Sequence, residues 1–163
     1  MKKMIILLAA GLMMTAYSCK KIFDSSPKLP SETQTGKHTF GCYVNGELFV
    51  PSWGAAGFGA PSLRANYWKS SNRLTIGAYA KNDFLILRMN PEENNKKISA
   101  WVEYNDRIRH YENTGEVILT HFDLDNLVVS GTFACDIPKS DGTVIRITQG
   151  RFDIKMEDYN IRE

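Results

Sequence analysis

From residue 39 onward the chain alternates apolar and polar positions in short runs, broken by Asn, Asp, Gly, Ser or Pro. A period of two is what a half-buried strand requires, and turn residues between such runs signal antiparallel connections. Thr39–Val44 and Glu47–Val50 flank Asn45-Gly46. That pair tolerates the positive φ needed at both central positions of a two-residue hairpin. Leu63–Lys69 and Arg73–Ala80 follow, turning at 70–72, with Leu74, Ile76 and Ala78 on one face. Asp83–Met89 is apolar on successive positions and suits a central strand covered on both sides. After the polar loop 91–97 come Ile98–Tyr104, Arg107–Glu112, Glu116–Phe122, Leu127–Ile137, Val144–Thr148 and Phe152–Met156. Turns are expected at 105–106, Thr114-Gly115, 123–126, 140–142 and Gly150-Arg151. About ten antiparallel strands in one all-β domain predict a β-sandwich, with a closed or partly closed β-barrel as the alternative.

The first eighteen residues obey another pattern. Lys2 and Lys3 precede an apolar run from Met4 to Ala16 that ends at Ser18-Cys19. This is the layout of a secretory signal, too short for a membrane-spanning helix. Cys19, directly after a small residue, resembles the processed and lipidated cysteine of bacterial lipoproteins. Two or more acyl chains there give stable membrane attachment. Residues 1–18 are therefore expected to be a signal peptide. Residues 19–38, rich in Lys, Ser, Thr and Pro, are expected to be a lipidated cysteine and flexible tether, and residues 39–163 a single domain.

Charge narrows the partners. Removing Lys2 and Lys3 from the 20 basic residues leaves eighteen against 18 acidic ones, a neutral mature chain. Nucleic acid, which demands clustered cations, is excluded. Two cysteines remain beyond Cys19, in Phe40-Gly41-Cys42 and Phe133-Ala134-Cys135. Phe and Cys two apart share a strand face, so both thiols are expected in the core. In an oxidising compartment Cys42 and Cys135 are candidates for a disulfide; the alternative is two buried free thiols.

Candidate chemistry is sparse. The loop Pro51–Pro61 carries Trp53, Phe58 and three glycines without charge. Its rings either present flat apolar faces to a sugar or protein, or fold back over one end of the sheet. Trp68 and Trp101 are further candidates for a glycan platform, or else cross-strand packing residues. His121, Asp123 and Asp125, spaced by two, are a weak candidate metal set; the alternative is an Asp/Asn turn bonded to local backbone. No nucleophile elbow, zincin, C-x-x-C or phosphate-loop pattern is present, so no catalytic residue and no cofactor is assigned.

Val44-Asn45-Gly46-Glu47-Leu48-Phe49, Ser130-Gly131-Thr132-Phe133 and Ile147-Thr148-Gln149-Gly150-Arg151-Phe152-Asp153 together resemble a family of Bacteroides-type lipoproteins carrying a domain of unknown function. The resemblance spans most of the mature chain and implies a β-rich domain exported on a lipid anchor. The expected protein is a non-catalytic accessory lipoprotein of the cell envelope, binding a protein or a glycan. Rival readings are an envelope hydrolase with its site among the loops, or a small-ligand carrier if the strands close into a barrel. The expected address is the outer membrane. Residues 20–24 lack the acidic cluster expected for surface display, which favours the periplasmic side.

Overall fold

The computed structural model describes residues 28–57, 59–106 and 109–163, without the side chains at 106 and 109–111. Ten strands form: β1 (Thr39–Val44), β2 (Glu47–Phe49), β3 (Leu63–Trp68), β4 (Arg73–Tyr79), β5 (Asp83–Met89), β6 (Lys97–Asp106), β7 (Arg109–Asp123), β8 (Val128–Pro138), β9 (Val144–Lys155) and β10 (Ile161–Arg162). A 3-10 turn, Asp158–Asn160, precedes β10. The fold is all-β. Hydrogen bonding runs unbroken through one sheet, in the order β10-β3-β4-β5-β6-β7-β8-β9-β1-β2, which curls into a half-barrel. Every neighbouring pair is antiparallel except β10 and β3, which run parallel, so the sheet is mixed rather than purely antiparallel.

Local chemistry accounts for the elements. Asn45 and Gly46 adopt φ of 51° and 85°, and Val44 pairs with Glu47 across that turn. Alternation then fills the concave face: Leu74 and Ile76 of β4, Leu85 and Leu87 of β5, Val117 of β7 and Ile154 of β9 are each fully buried in one cluster. Each such aliphatic side chain stabilises the fold by about 1.5–3 kcal/mol relative to exposure. β5 has the central place expected of it. Its outer residues Phe84 and Ile86 are half-buried rather than covered.

Three expected turns lie inside strands; one of them, 105–106, is the paired end of β6, opposite 109–110 of β7. Thr114-Gly115 belongs to the fifteen-residue β7, where Gly115 pairs with Ala100 of β6. A Cβ on Gly115 would stand 2.7 Å from Val102 Cγ2 and 2.9 Å from the Ala134 carbonyl oxygen. That glycine answers a close approach of three strands, not a reversal of the chain. Gly150-Arg151 likewise lies within β9, where Gln149 (φ 52°) occupies a bulge seen by both neighbours. A second bulge in β7 shifts the register between Leu119 and His121. Bulges sharpen local twist and bend the strand. They also switch which side chains face inward: Ile145 and Ile147 are buried before the β9 bulge, Phe152 and Ile154 after it.

The expected tether also needs correction. Residues 19–27 lie outside the described residues, but 29–37 are docked on the sheet. Arg151 Nη1 donates to the Pro30 carbonyl oxygen at 3.3 Å. A Cβ on Gly41 would meet Pro30 Cδ at 2.6 Å. The carboxylate of Asp153 accepts from Gly36 N (2.7 Å), Lys37 N (3.1 Å) and Thr35 N (3.2 Å), as well as from the Thr33 hydroxyl. Flexible composition is overridden here by a buried acceptor that satisfies a run of backbone donors.

Candidate functional site: an aromatic cleft where the sheet ends meet

The two ends of the curled sheet approach each other beside β3. His38, just before β1, donates from Nε2 to the Leu63 carbonyl oxygen at the start of β3, 3.2 Å away. Tyr67 of β3 meets Phe122 of β7 edge-to-face, with centroids 5.3 Å apart. β10 covers only Tyr67 and Trp68 of β3, leaving the Leu63–Asn66 edge without a strand beyond it.

Along that edge runs a cleft in two adjoining parts. One, of about 620 Å³, lies among Arg64, Asn66, Trp68, Lys155, Glu157 and Arg162. The other, of about 870 Å³, lies beneath the loop that carries Trp53. His38, Pro61, Leu63 and Tyr159 line both. The loop is anchored where Ser52 N donates to the Tyr79 carbonyl oxygen (3.0 Å), and it proceeds by successive turns from Ser52 to Ala55, Gly54 to Gly57 and Gly57 to Ala60. Those short turns leave no strand for Trp53 to pack on, and its side chain is 100% exposed. Tyr159, on the 3-10 turn, is 69% exposed. Asn160 Nδ2 donates to Asn66 Oδ1 at 3.0 Å and fixes that turn against β3.

The structure therefore separates the four aromatic candidates. Trp53 and Trp68 border the same cleft, and the Trp53 ring does not fold back over the sheet. Phe58 lies outside the described residues. Trp101 stands three strands away on β6, with the guanidinium of its cross-strand partner Arg88 over its ring at 4.2 Å. Arg88 also pairs with Glu103 at 2.7 Å, so that aromatic face is already occupied. Trp68 is flanked in the same way by Arg73, 4.8 Å from its ring. Tyr159 and His38 were not legible as site residues: neither sits in a periodic run, and only curling of the sheet brings them to β3.

The candidate metal residues are not gathered. Asp123 accepts from both the backbone and side-chain nitrogens of Asn126, each at 2.8 Å. Those two bonds hold its carboxyl below the usual range. His121 Nε2 is 3.7 Å from Asp123 Oδ2, and Asp125 is exposed in the turn beyond β7. Among the described residues no three His, Cys, Asp or Glu side chains converge.

The expected disulfide is overturned. Cys42 and Cys135 are both free. They sit on β1 and β8, with β9 between them. Strands lie about 4.8 Å apart, so the intervening strand puts the two Cα atoms beyond the roughly 7 Å that a bridge can span. Burial pushes the Cys42 thiol up to about 12. Burial, and then the Asp136 carboxylate, raise Cys135 to about 11. Both thiols are protonated at neutral pH and pack as small apolar groups.

Cys19 and the leader lie outside the described residues. No protein-family model, curated protein or solved structure matches the chain.

Proposed function

We propose that the chain is a non-catalytic lipoprotein of the cell envelope, anchored in the outer membrane through Cys19 and facing the periplasm, and that it captures a glycan in the cleft beside β3. The leader's charge, length and terminal cysteine support the anchor. We take the curled sheet as a partly closed barrel whose unsealed edge carries the site. The observation that carries the binding reading is Trp53, an indole held fully in solvent at the lip of a cleft that also holds Tyr159 and Trp68. Large rings are mostly buried in folded proteins, and an exposed flat apolar face beside polar groups suits the C–H face of a sugar ring. The concave face is filled by the protein's own side chains, which supports a site at this edge over one in an interior chamber.

The test is titration of the full chain in detergent micelles with a panel of envelope and host-type oligosaccharides, followed by tryptophan fluorescence. Binding should perturb the emission, and Trp53→Ala should weaken it by about tenfold while the melting temperature moves by less than about 1 °C. Loss of several degrees would make Trp53 a structural residue, and silence across the panel would remove the glycan reading. Cys19→Ser should move the protein from the detergent phase to the aqueous phase; unchanged partitioning would remove the anchor.

A further inference from the structure

We infer that the cleft selects acidic glycans, chains bearing uronic or sialic acid carboxylates; this rests on the reading of the cleft as a glycan site. The argument is one of charge placement. The mature chain is neutral, and seven of its fourteen described Lys and Arg side chains sit in ion pairs: Arg88 with Glu103, Arg146 with Asp136, Arg151 with Glu32, Lys69 with Glu163, Lys96 with Glu92 and Glu93, Lys97 with Glu116 and Lys139 with Asp141. At the cleft, unpaired cations gather. Arg64, Lys155 and Arg162 all line it, against one carboxylate, Glu157.

None of the three cations has an ion-pair partner among the described residues. Arg64 Nη2 donates to the Tyr79 hydroxyl at 2.8 Å, and its guanidinium lies 5.1 Å from that ring. Lys155 Nζ donates to the Asn126 carbonyl oxygen at 2.6 Å. Both partners are neutral, so they fix each cation without cancelling its charge. Arg73, stacked on the Trp68 that lines the cleft, is a fourth cation without a carboxylate partner among the described residues.

Net positive charge lining a cleft beside exposed aromatic rings is complementary to one ligand chemistry in particular. The rings receive the apolar faces of pyranoses, and a guanidinium fork receives a carboxylate bidentately at the ring's edge. Neutral sugars would use only the first of these. Held guanidinium groups lose little freedom when the carboxylate arrives, so selectivity falls on the charge itself.

The probes are a galacturonate hexamer, a hyaluronan hexasaccharide and sialyllactose, each beside its carboxyl methyl ester, which keeps shape and removes charge. They are titrated calorimetrically into the full chain in neutral detergent. At least one acid should bind about tenfold or more tighter than its ester at about 0.05 M salt, and that preference should shrink severalfold at about 1 M, where screening is short-ranged. Arg162→Gln, at an exposed strand end, should lower the acid's affinity severalfold more than the ester's while leaving the melting temperature unchanged. Arg64→Gln should do the same more strongly, and Arg162→Gln covers the case in which loss of the Tyr79 bond perturbs the fold. Equal binding of acid and ester overturns the inference and leaves the glycan reading standing. Silence of all three acids with binding of a neutral panel member also overturns it alone. Silence of every glycan removes both.

Discussion

Asp153 lies between Phe152 and Ile154, two core residues, so its carboxylate leaves the sheet on the opposite, convex face. There it is 1% exposed because residues 33–37 of the same chain cover it. Ser130 on the neighbouring strand, itself fully buried, donates a further bond at 2.7 Å. Burial alone would raise this carboxyl; the bonds from Thr33, Lys37, Ser130 and Gly36 outweigh it and bring the group from its ordinary 3.8 to about 2. A depressed folded-state value means the stabilisation is whole above about pH 4 and is lost as pH falls through about 2; a shift of this size corresponds to about 2 kcal/mol. Asp153→Ala removes the acceptor from a set of buried donors and should cost about 2–4 kcal/mol, several degrees or more in melting temperature. Asp153→Asn should flatten the fall of the urea midpoint between pH 4 and pH 2. A variant as stable as the parent, with 33–37 equally resistant to protease, would show that this clamp holds nothing. No pattern in the sequence foretold it, since an Asp between two apolar residues reads as an ordinary solvent-facing strand position.

At the scale of elements, glycine is where sequence reading and structure part. Asn45-Gly46 was legible because its signal is local: two residues, two positive φ values, one hairpin. Gly115 was not, because its reason is the convergence of β6, β7 and β8. A Cβ there would press on Val102, on the Ala134 carbonyl and, at 2.9 Å, on Cys135 Cβ. Gly115→Ala should therefore destabilise by about 1–3 kcal/mol, the range for overpacking a core, measured by urea unfolding. A turn glycine of ordinary φ would lose a few tenths or gain stability, and that result would restore the turn reading. The bulges at Thr120 and Gln149 were hidden for a related reason. A single extra residue breaks the period of two, so an alternation traced straight through it assigns later residues to the wrong face. In β9 the bulge falls beside the point where the strand reads as two, whereas β7 is divided at Gly115; His121 and Asp123 both lie beyond the β7 bulge, so their spacing of two is undisturbed. The strands before the bulges, β3 to β6, were legible to within a residue or two because no bulge interrupts them.

For the whole molecule, what matters is that a single sheet curls into a half-barrel and that no ladder joins its two ends among the described residues. The terminal strands are the shortest, three residues in β2 and two in β10, whereas β6, β7 and β8 have ten, fifteen and eleven. What holds β3 to the rest of the curled sheet, beyond its ladders to β4 and β10, is side chains: the His38 bond to the Leu63 carbonyl, the Tyr67–Phe122 ring pair and the Asn160–Asn66 amide pair. The same arrangement explains why the cleft was not legible in the sequence. Its walls come from residues 38, 53–57, 59–68 and 155–162, which share no periodicity and meet only when the sheet has curled. Opening free energy in a folded protein ranges from near zero at weakly held edges to the global value in the core. Native-state hydrogen exchange should accordingly show β10, β2 and the Leu63–Asn66 edge opening below the global free energy, with β6–β8 exchanging only on complete unfolding. A glycan seated in the cleft stabilises the closed form by mass action, so at about a hundredfold excess over its dissociation constant the exchange of amides that open locally along β3 and β10 should slow by up to about a hundredfold. Amides that exchange through global unfolding should slow equally if binding requires the whole fold, whereas an amide that opens without disturbing the cleft should not respond. The pattern of slowed amides thus maps the site without reference to Trp53. Uniform exchange of all strands at the global rate in the free protein would mean that the edge is locked into the core, and that the cleft is a rigid groove rather than the least stable part of the fold.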